Sequence, residues 1–314
     1  MKELAIATYG LTKRFEGYIA VNEIDLQVQA GEVYGLIGPN GAGKTTLIRM
    51  LATAEVPTKG EIYLHGDRLL RDDSNPRLKQ RIGYLPDDFP LYDDLTVWDY
   101  LDYFARLYLL EQPHRDRRIN EVLELVQLEN KRTSIISTLS RGMKQRLSLG
   151  RTIIHEPILL LLDEPVSGLD PLARQQFRQI IKVLQEAGMT ILISSHVLSD
   201  LAELCTSVGI MELGFLVEST SLAELYQRLS RPQITISTLG KMELLQQKLS
   251  QNSLVETWEA IDYRRLKLNF TGQEADCAEL LRSLVLADIP LTEFQYEPED
   301  LESIFLKLGH QQTS

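Results

Sequence analysis

Short, nearly unbroken apolar runs alternate with stretches of helical spacing through the first two thirds of the chain. Val33–Ile37 (VYGLI), residues 158–162 (ILLLL) and residues 190–194 (TILIS) show no strict polar alternation. A strand covered on one face alternates, whereas a strand covered on both faces reads as these runs do. Helical spacing follows over 47–51 and from Pro171 to about residue 186, and apolar positions 147 and 154 extend another helix from Met143. Residues 2–9 and 24–28 alternate as strands, with KRFEGYIAVNE between them as a hairpin or loop carrying Phe15 and Tyr18. Pro57, Gly60, Gly66 and Asp67 punctuate a short strand at 61–64. Between 87 and 130 the pattern turns helical, with Val97, Leu101, Phe104 and Tyr108 on one stripe and Ile119, Val122, Leu123 and Val126 on another. Strands alternating with helices predict an α/β fold built on a mostly parallel sheet, with residues 87–130 as a helical insert.

Past residue 216 the order changes. Ile234 and Ile236 begin a strand, followed by a helix near 241–250, strands near 254–261 and 265–270, a helix near 274–286 and a strand near 291–296. This β-α-β-β-α-β order predicts a small ferredoxin-like α+β module. It ends in an amphipathic stretch with Leu301, Ile304, Phe305 and Leu308, and Ser230, Arg231 and Pro232 read as the linker before it. The expected domains are 1–220 and 231–314, with no internal repeat and no low-complexity segment.

Composition narrows the function classes. A chain of 314 residues, 44% apolar and 25% charged, is ordinary for a globular protein and can bury sizeable cores. A net charge of -11 argues against a nucleic-acid partner, which calls for a basic face. Two cysteines, Cys205 and Cys277, fit a reducing compartment without a disulfide framework. The opening MKELAIATYG has no cationic segment before a long apolar core and reads without a signal peptide. The longest strongly apolar run falls far short of the roughly 20 residues of a membrane helix.

Between the strand at 33–37 and the helical stretch at 47–51 lies GPNGAGKTT: Gly38, Pro39, Asn40, Gly41, Ala42, Gly43, Lys44, Thr45 and Thr46. It satisfies G-x-x-x-x-G-K-[ST] in strand–loop–helix context, where glycines allow close approach and backbone N–H groups with a helix N-terminus converge on phosphate. Lys44 is placed for the β/γ-phosphates, and the Thr45 hydroxyl for Mg²⁺. Downstream, LLLLDE sets Asp163 and Glu164 directly after a buried strand, where open α/β sheets bind ligands. Asp163 is a candidate Mg²⁺ ligand, directly or through water, and Glu164 a candidate general base for an attacking water.

With these stand LSRGMKQR at 139–146, SGLD at 167–170 and His196 in SSHVLSD. Their order and spacing over positions 4–218 resemble the ATP-binding subunit of an ABC transporter. The resemblance implies a P-loop ABC-type ATPase domain with an antiparallel β subdomain and a helical subdomain at about 87–155. It implies ATP and Mg²⁺ as ligands, and a head-to-tail homodimer or heterodimer with ATP sandwiched at the interface. The signature residues Leu139, Ser140, Arg141, Gly142 and Met143 would face the ATP held by the partner subunit, with Ser140 as helix N-cap. His196 would contact the γ-phosphate, Asp170 would stand in the D-loop, and Phe15 would stack on adenine, with Tyr18 as competitor and Phe15 in the hairpin core as the alternative.

Two positions depart from the family pattern. Asp87, in GYLPDD, stands where most relatives carry the Gln of the Q-loop, and keeps an oxygen for Mg²⁺ or water but no amide donor; as a plain turn residue after Pro86 it has a second reading. Arg141 replaces the commonest Gly and reaches either a phosphate across the interface or solvent. The resemblance is strongest to ABC-2-type export ATPases, through the LSRGMKQR signature and the closing DLESIFLKL. It implies an integral membrane permease as a separate chain, docked on the helical insert where Phe89, Tyr92 and Trp98 serve either that contact or the insert core. The chain itself would be cytoplasmic and peripheral on the cytoplasmic face of the membrane. An importer ATPase, a soluble ABC ATPase acting on ribosomes or DNA, and a regulatory ABC-like subunit are the alternatives.

Overall fold

The computed structural model describes residues 3–69, 76–88, 91–196, 201, 204–229 and 233–297. Phe89, the linker residues 230–232 and the stretch containing Leu301, Ile304, Phe305 and Leu308 lie outside the described residues. The chain divides into two compact units, Met1–Leu222 and Ala223–Ser314. Among the described residues no helix is long and apolar enough to cross a membrane.

The first unit is laid down on a six-stranded sheet. Its strands, numbered in chain order, are β4 (Val33–Ile37), β7 (Ile82–Leu85), β8 (Leu159–Leu162), β9 (Thr190–Ser195), β10 (Ser207–Glu212) and β11 (Phe215–Ser221). They lie in the order β11-β10-β4-β9-β8-β7, parallel from β10 to β7, with β11 antiparallel at the edge. Every residue of β4, β8 and β9 is buried, which is why these segments carry no polar alternation. β7 and β10 leave little mark in the hydrophobic pattern, because IGYL and SVGIME are short and broken by glycine, and β11 (FLVESTS) leaves little because it has no fully buried residue and turns polar after Val217.

A second, antiparallel sheet is organised by one long strand, β1 (Leu4–Phe15), which pairs with β2 (Tyr18–Ile24), β3 (Gln27–Gln29) and β5 (Lys59–Leu64), with β6 (Asp67–Arg68) beyond. KRFEGYIAVNE is thus a tight hairpin whose arms are both strand. Ile6, Leu11, Val28, Ile62 and Leu64 of this sheet share one core with Leu36 and Leu161 of the parallel sheet and with Leu47, Ile48 and Leu51 of α1 (Lys44–Leu51).

After the short α2 (Pro76–Lys79) comes the helical layer: α3 (Val97–Leu107), α4 (His114–Leu125) and α5 (Arg141–Ile153). Thr96 caps α3 by accepting from Asp99 N–H, and the helix turns Val97, Tyr100, Leu101 and Ala105 inward. Tyr108, read from the sequence as part of that stripe, instead sits at the C-cap, because Leu109 (φ 60) turns the chain out of the helix; its ring stacks on His155 at 3.9 Å. α6 (Pro171–Glu186) has Asp170 as N-cap, Pro at its first turn and Phe177, Ile180, Ile181 and Leu184 as a buried stripe.

The second unit holds α7 (Leu222–Leu229), nearly all of it in this unit, then β12 (Gln233–Thr238), α8 (Met242–Ser250), β13 (Val255–Ala260), β14 (Arg265–Phe270), α9 (Glu274–Leu286) and β15 (Leu291–Glu297). The four strands are antiparallel in the order β13-β14-β12-β15, the ferredoxin-like arrangement. Ile234, Ile236, Leu266, Leu268 and Phe270 pack on Leu245 and Leu249 of α8 and Leu280 and Leu284 of α9.

Candidate functional site

The loop after β4 is set by steric necessity at two glycines. A Cβ on Gly38 would lie 2.2 Å from the carbonyl oxygen of Met211, and one on Gly43 would lie 2.3 Å from that of Ala20, with Gly43 at φ 102. Both collisions are with backbone, so neither position accepts a side chain. Gly214, in the turn between β10 and β11, donates to Ala42 O at 3.1 Å and fixes the loop from the other side. α1 begins at Lys44 with no side-chain cap, so its first N–H groups are left for an anion.

Lys44 is only 5% exposed. Its Nζ donates to Gly38 O at 2.7 Å and Pro39 O at 3.2 Å and stands 3.4 Å from Glu164 Oε1. Asp163 and Glu164 emerge from β8 beside it. Asp163 is 1% exposed; its Oδ1 accepts from Ser194 Oγ at 2.7 Å and from Thr45 Oγ1 at 3.2 Å, while its buried Oδ2 has no partner among the described residues. Burial pushes the Asp163 pKa up, against the pull of those two hydroxyls. A buried carboxylate oxygen without a donor, next to a threonine hydroxyl, is the donor set of a hard divalent cation, so the residues present fit Mg²⁺.

Glu164 is held from three directions. Its backbone N–H donates to Ser194 Oγ at 2.9 Å, its Oε2 lies 2.7 Å from His196 Nδ1, and its Oε1 faces Lys44. The residue sits at φ 48, a left-handed conformation that costs a non-glycine residue on the order of 1 kcal/mol and persists where the surroundings over-determine it. Ser194, not singled out from the sequence, therefore links both carboxylates, accepting from Glu164 N–H and donating to Asp163. Its only sequence signal was its place two residues before His196.

A cavity of about 250 Å³ opens onto this group, lined by Tyr18, Ala20, residues 40–46, Asp87 and Glu164. Of the two candidate aromatics, Tyr18 lines it, 60% exposed, while Phe15 is not among the lining residues and packs against Tyr18 at 5.5 Å between centroids. Asp87 also lines a second cavity of about 280 Å³, with Asp88, Leu91, Asp93, Arg141, Lys144, Gln145, Glu164 and Ser167.

The signature residues stand at the start of α5. Leu139 is buried, and Ser140 is the N-cap, its Oγ accepting from Met143 N–H at 3.3 Å, which leaves the hydroxyl proton free to be donated. Gly142 lets α5 approach α6 at Ala173, where a Cβ would be 2.7 Å from the alanine methyl. Ser140, Gly142 and Met143 line neither cavity. Asp170 spends its Oδ1 on Ala173 N–H at 2.8 Å. Arg141, exposed, donates to Ser167 O at 3.0 Å, a partner the sequence did not offer. Thr45, Asp163, Glu164 and His196 are thus brought together by hydrogen bonds through Ser194, and Lys44 joins them by its ion pair with Glu164, with the signature residues outside the group. In the insert, Tyr92 is half-exposed within an aromatic group with Tyr100, Tyr103 and Phe104, and Trp98 is covered by the Arg132 guanidinium at 3.6 Å.

Comparison with known proteins gives concordant matches. The family model described as ABC transporter matches residues 21–167. The ABC transporter ATP-binding protein YcbN of Bacillus subtilis is 33% identical over 96% of this chain and 96% of its own length. The bacitracin transport ATP-binding protein BcrA of Enterococcus faecalis is 33% identical over 98% of this chain and 96% of its own. Among solved structures, an ATP-binding subunit of an ABC transporter superposes with a TM-score of 0.64 at 29% identity, covering 71% of this chain and 92% of that one.

Proposed function

The chain belongs to the ATP-binding proteins of ABC transporters and is an ATPase of that family, and from that premise we propose that it powers export through a separate membrane permease, working as a nucleotide-dependent dimer on the cytoplasmic face. The observation that carries the reading is the continuous group from Thr45 through Asp163 and Ser194 to Glu164, Lys44 and His196. The export direction draws on similarity over nearly the full chain to a protein named for bacitracin transport.

ATP enters the cavity beside Tyr18, its phosphates against the N–H groups of residues 40–46. Lys44 exchanges its carbonyl partners for the β/γ-phosphate oxygens. Bound at Thr45 and Asp163, Mg²⁺ would neutralise charge on those oxygens. Glu164 takes the proton of a water as its oxygen attacks the γ-phosphorus and the bond to the β-bridging oxygen breaks, while His196, on Glu164 Oε2, orients that water. Because the Ser140 hydroxyl lies outside the cavity of its own chain, a second copy supplies it to the γ-phosphate, together with the N–H groups of Arg141 and Gly142 and the dipole of α5.

Glu164→Gln tests this, since the amide keeps the shape and removes the base. Hydrolysis should fall by about 10²- to 10⁴-fold, and size-exclusion chromatography with Mg-ATP should show a trapped dimer. Unchanged turnover overturns the role of Glu164, and a monomer throughout overturns the sandwich.

A further inference from the structure

We propose that Arg141 is a positioning residue for hydrolysis, bracing from the start of α5 the turn on which Glu164 is carried. The proposal rests on the ATPase reading above.

The turn after β8 carries two successive backbone bonds, Ser167 N–H to Glu164 O at 3.1 Å and Leu169 N–H to Val166 O at 3.3 Å. Ser167 thus spends its N–H on the residue that bears the carboxylate and offers its C=O outward. That carbonyl accepts from the Arg141 guanidinium at 3.0 Å. The two bonds run in series, Arg141 to Ser167 and Ser167 to Glu164, and they end on the backbone of a residue held at φ 48.

The next residue is shaped for the same contact. Gly168 has φ 66, and a Cβ there would lie 2.5–2.6 Å from three atoms of the Arg141 guanidinium. The planar cation therefore lies on bare backbone, a fit that Lys, a point charge on a flexible stem, does not reproduce. α5 is tied on its other side as well, because Lys144 Nζ pairs with Asp93 Oδ1 at 2.9 Å. The two basic side chains of the first turn of α5 thus hold Asp93 and the turn that follows Glu164, and the Asp87 and Glu164 carboxylates line a cavity together with Asp93, Arg141 and Lys144. A displacement of the Ser140 helix end is by this geometry passed to the backbone of the general base.

The test uses the full-length chain with Arg141→Met, which keeps an apolar stem and removes the donors, and Arg141→Lys, which restores one. In Arg141→Met, hydrogen exchange over residues 164–170 should accelerate about tenfold and kcat should fall about tenfold, the scale of losing one charged hydrogen bond. The ATP dissociation constant should stay within about twofold and the melting temperature near wild type, with Arg141→Lys between the two in exchange and kcat. Unchanged exchange and kcat overturn the proposal. So does a loss of affinity and melting temperature in step with kcat, the mark of a fold contact alone. A wild-type chain that turns over no ATP refutes the ATPase reading instead, and the exchange measurement then still decides the brace.

Discussion

The six-stranded sheet of the first unit and the four-stranded sheet of the second pair their strands in opposite ways, and the difference decides where chemistry gathers. In the first unit, β4, β7, β8 and β9 run parallel, so their carboxyl ends lie along one edge. That edge receives Gly38 and Lys44 after β4, Asp87 after β7, Asp163 and Glu164 after β8 and His196 after β9. In the second unit, neighbouring strands are antiparallel and deliver their ends to opposite edges. Its buried residues, Ile234, Ile236, Leu266 and Leu268, alternate with Thr235 and Lys267 on a polar face, as in a sheet covered on one side. Parallel pairing concentrates functional groups from distant segments; antiparallel pairing spreads them.

Lys44→Ala tests the contrast most severely. The side chain has given up solvent for two loop carbonyls and Glu164, partners that the proposed role has it exchange for phosphate oxygens. Its loss should weaken ATP binding by about a hundredfold or more, near 3 kcal/mol, measured by fluorescent-nucleotide titration. Deleting residues 231–314 should leave the same titration unchanged. A truncated chain that no longer binds nucleotide would erase the division of labour.

Much of this arrangement is legible in the sequence alone. The unbroken runs at 158–162 and 190–194 announced β8 and β9, and Pro171–Glu186 is the helix its starting Pro and apolar stripe described. What escaped depends on register between strands far apart in sequence. Leu162 pairs with Ile193, which sets Ser194 beside Asp163, and no local pattern encodes that pairing. The choice of Tyr18 over Phe15 for the cavity wall likewise follows from which hairpin arm turns toward residues 40–46. Arg141 was ambiguous because its partner is a backbone carbonyl, and a carbonyl leaves no mark in a sequence.

Asp163→Asn sharpens the contrast at an intermediate scale, because it separates the cost of convergence from its use. The carboxylate is buried, its Oδ2 has no partner among the described residues, and burial raises its pKa. An uncharged amide of the same shape is less costly to bury, so without ligand the variant should be more stable by about 1 kcal/mol. With Mg-ATP the order should reverse, since wild type gains about 2.7 kcal/mol at a hundredfold excess of ligand over its dissociation constant, and the variant loses the metal-dependent part. Scanning calorimetry with and without Mg²⁺ reads both arms. A variant that melts lower than wild type without metal would mean that Asp163 serves the fold first.

The smallest effect is expected on the open face of the second sheet, where Glu259 of β13 stands directly across from Lys267 of β14. Lys267→Glu places two like charges opposite each other on neighbouring strands, a pair worth about 0.2–1 kcal/mol. Because Glu259 is exposed, added salt should screen most of the loss. Urea unfolding at low and high salt measures the penalty, and the ATPase rate should not move. A chain that kept its stability but changed its turnover would show that this polar face takes part in the reaction cycle, and the separation of chemistry between the two sheets would then have to be abandoned.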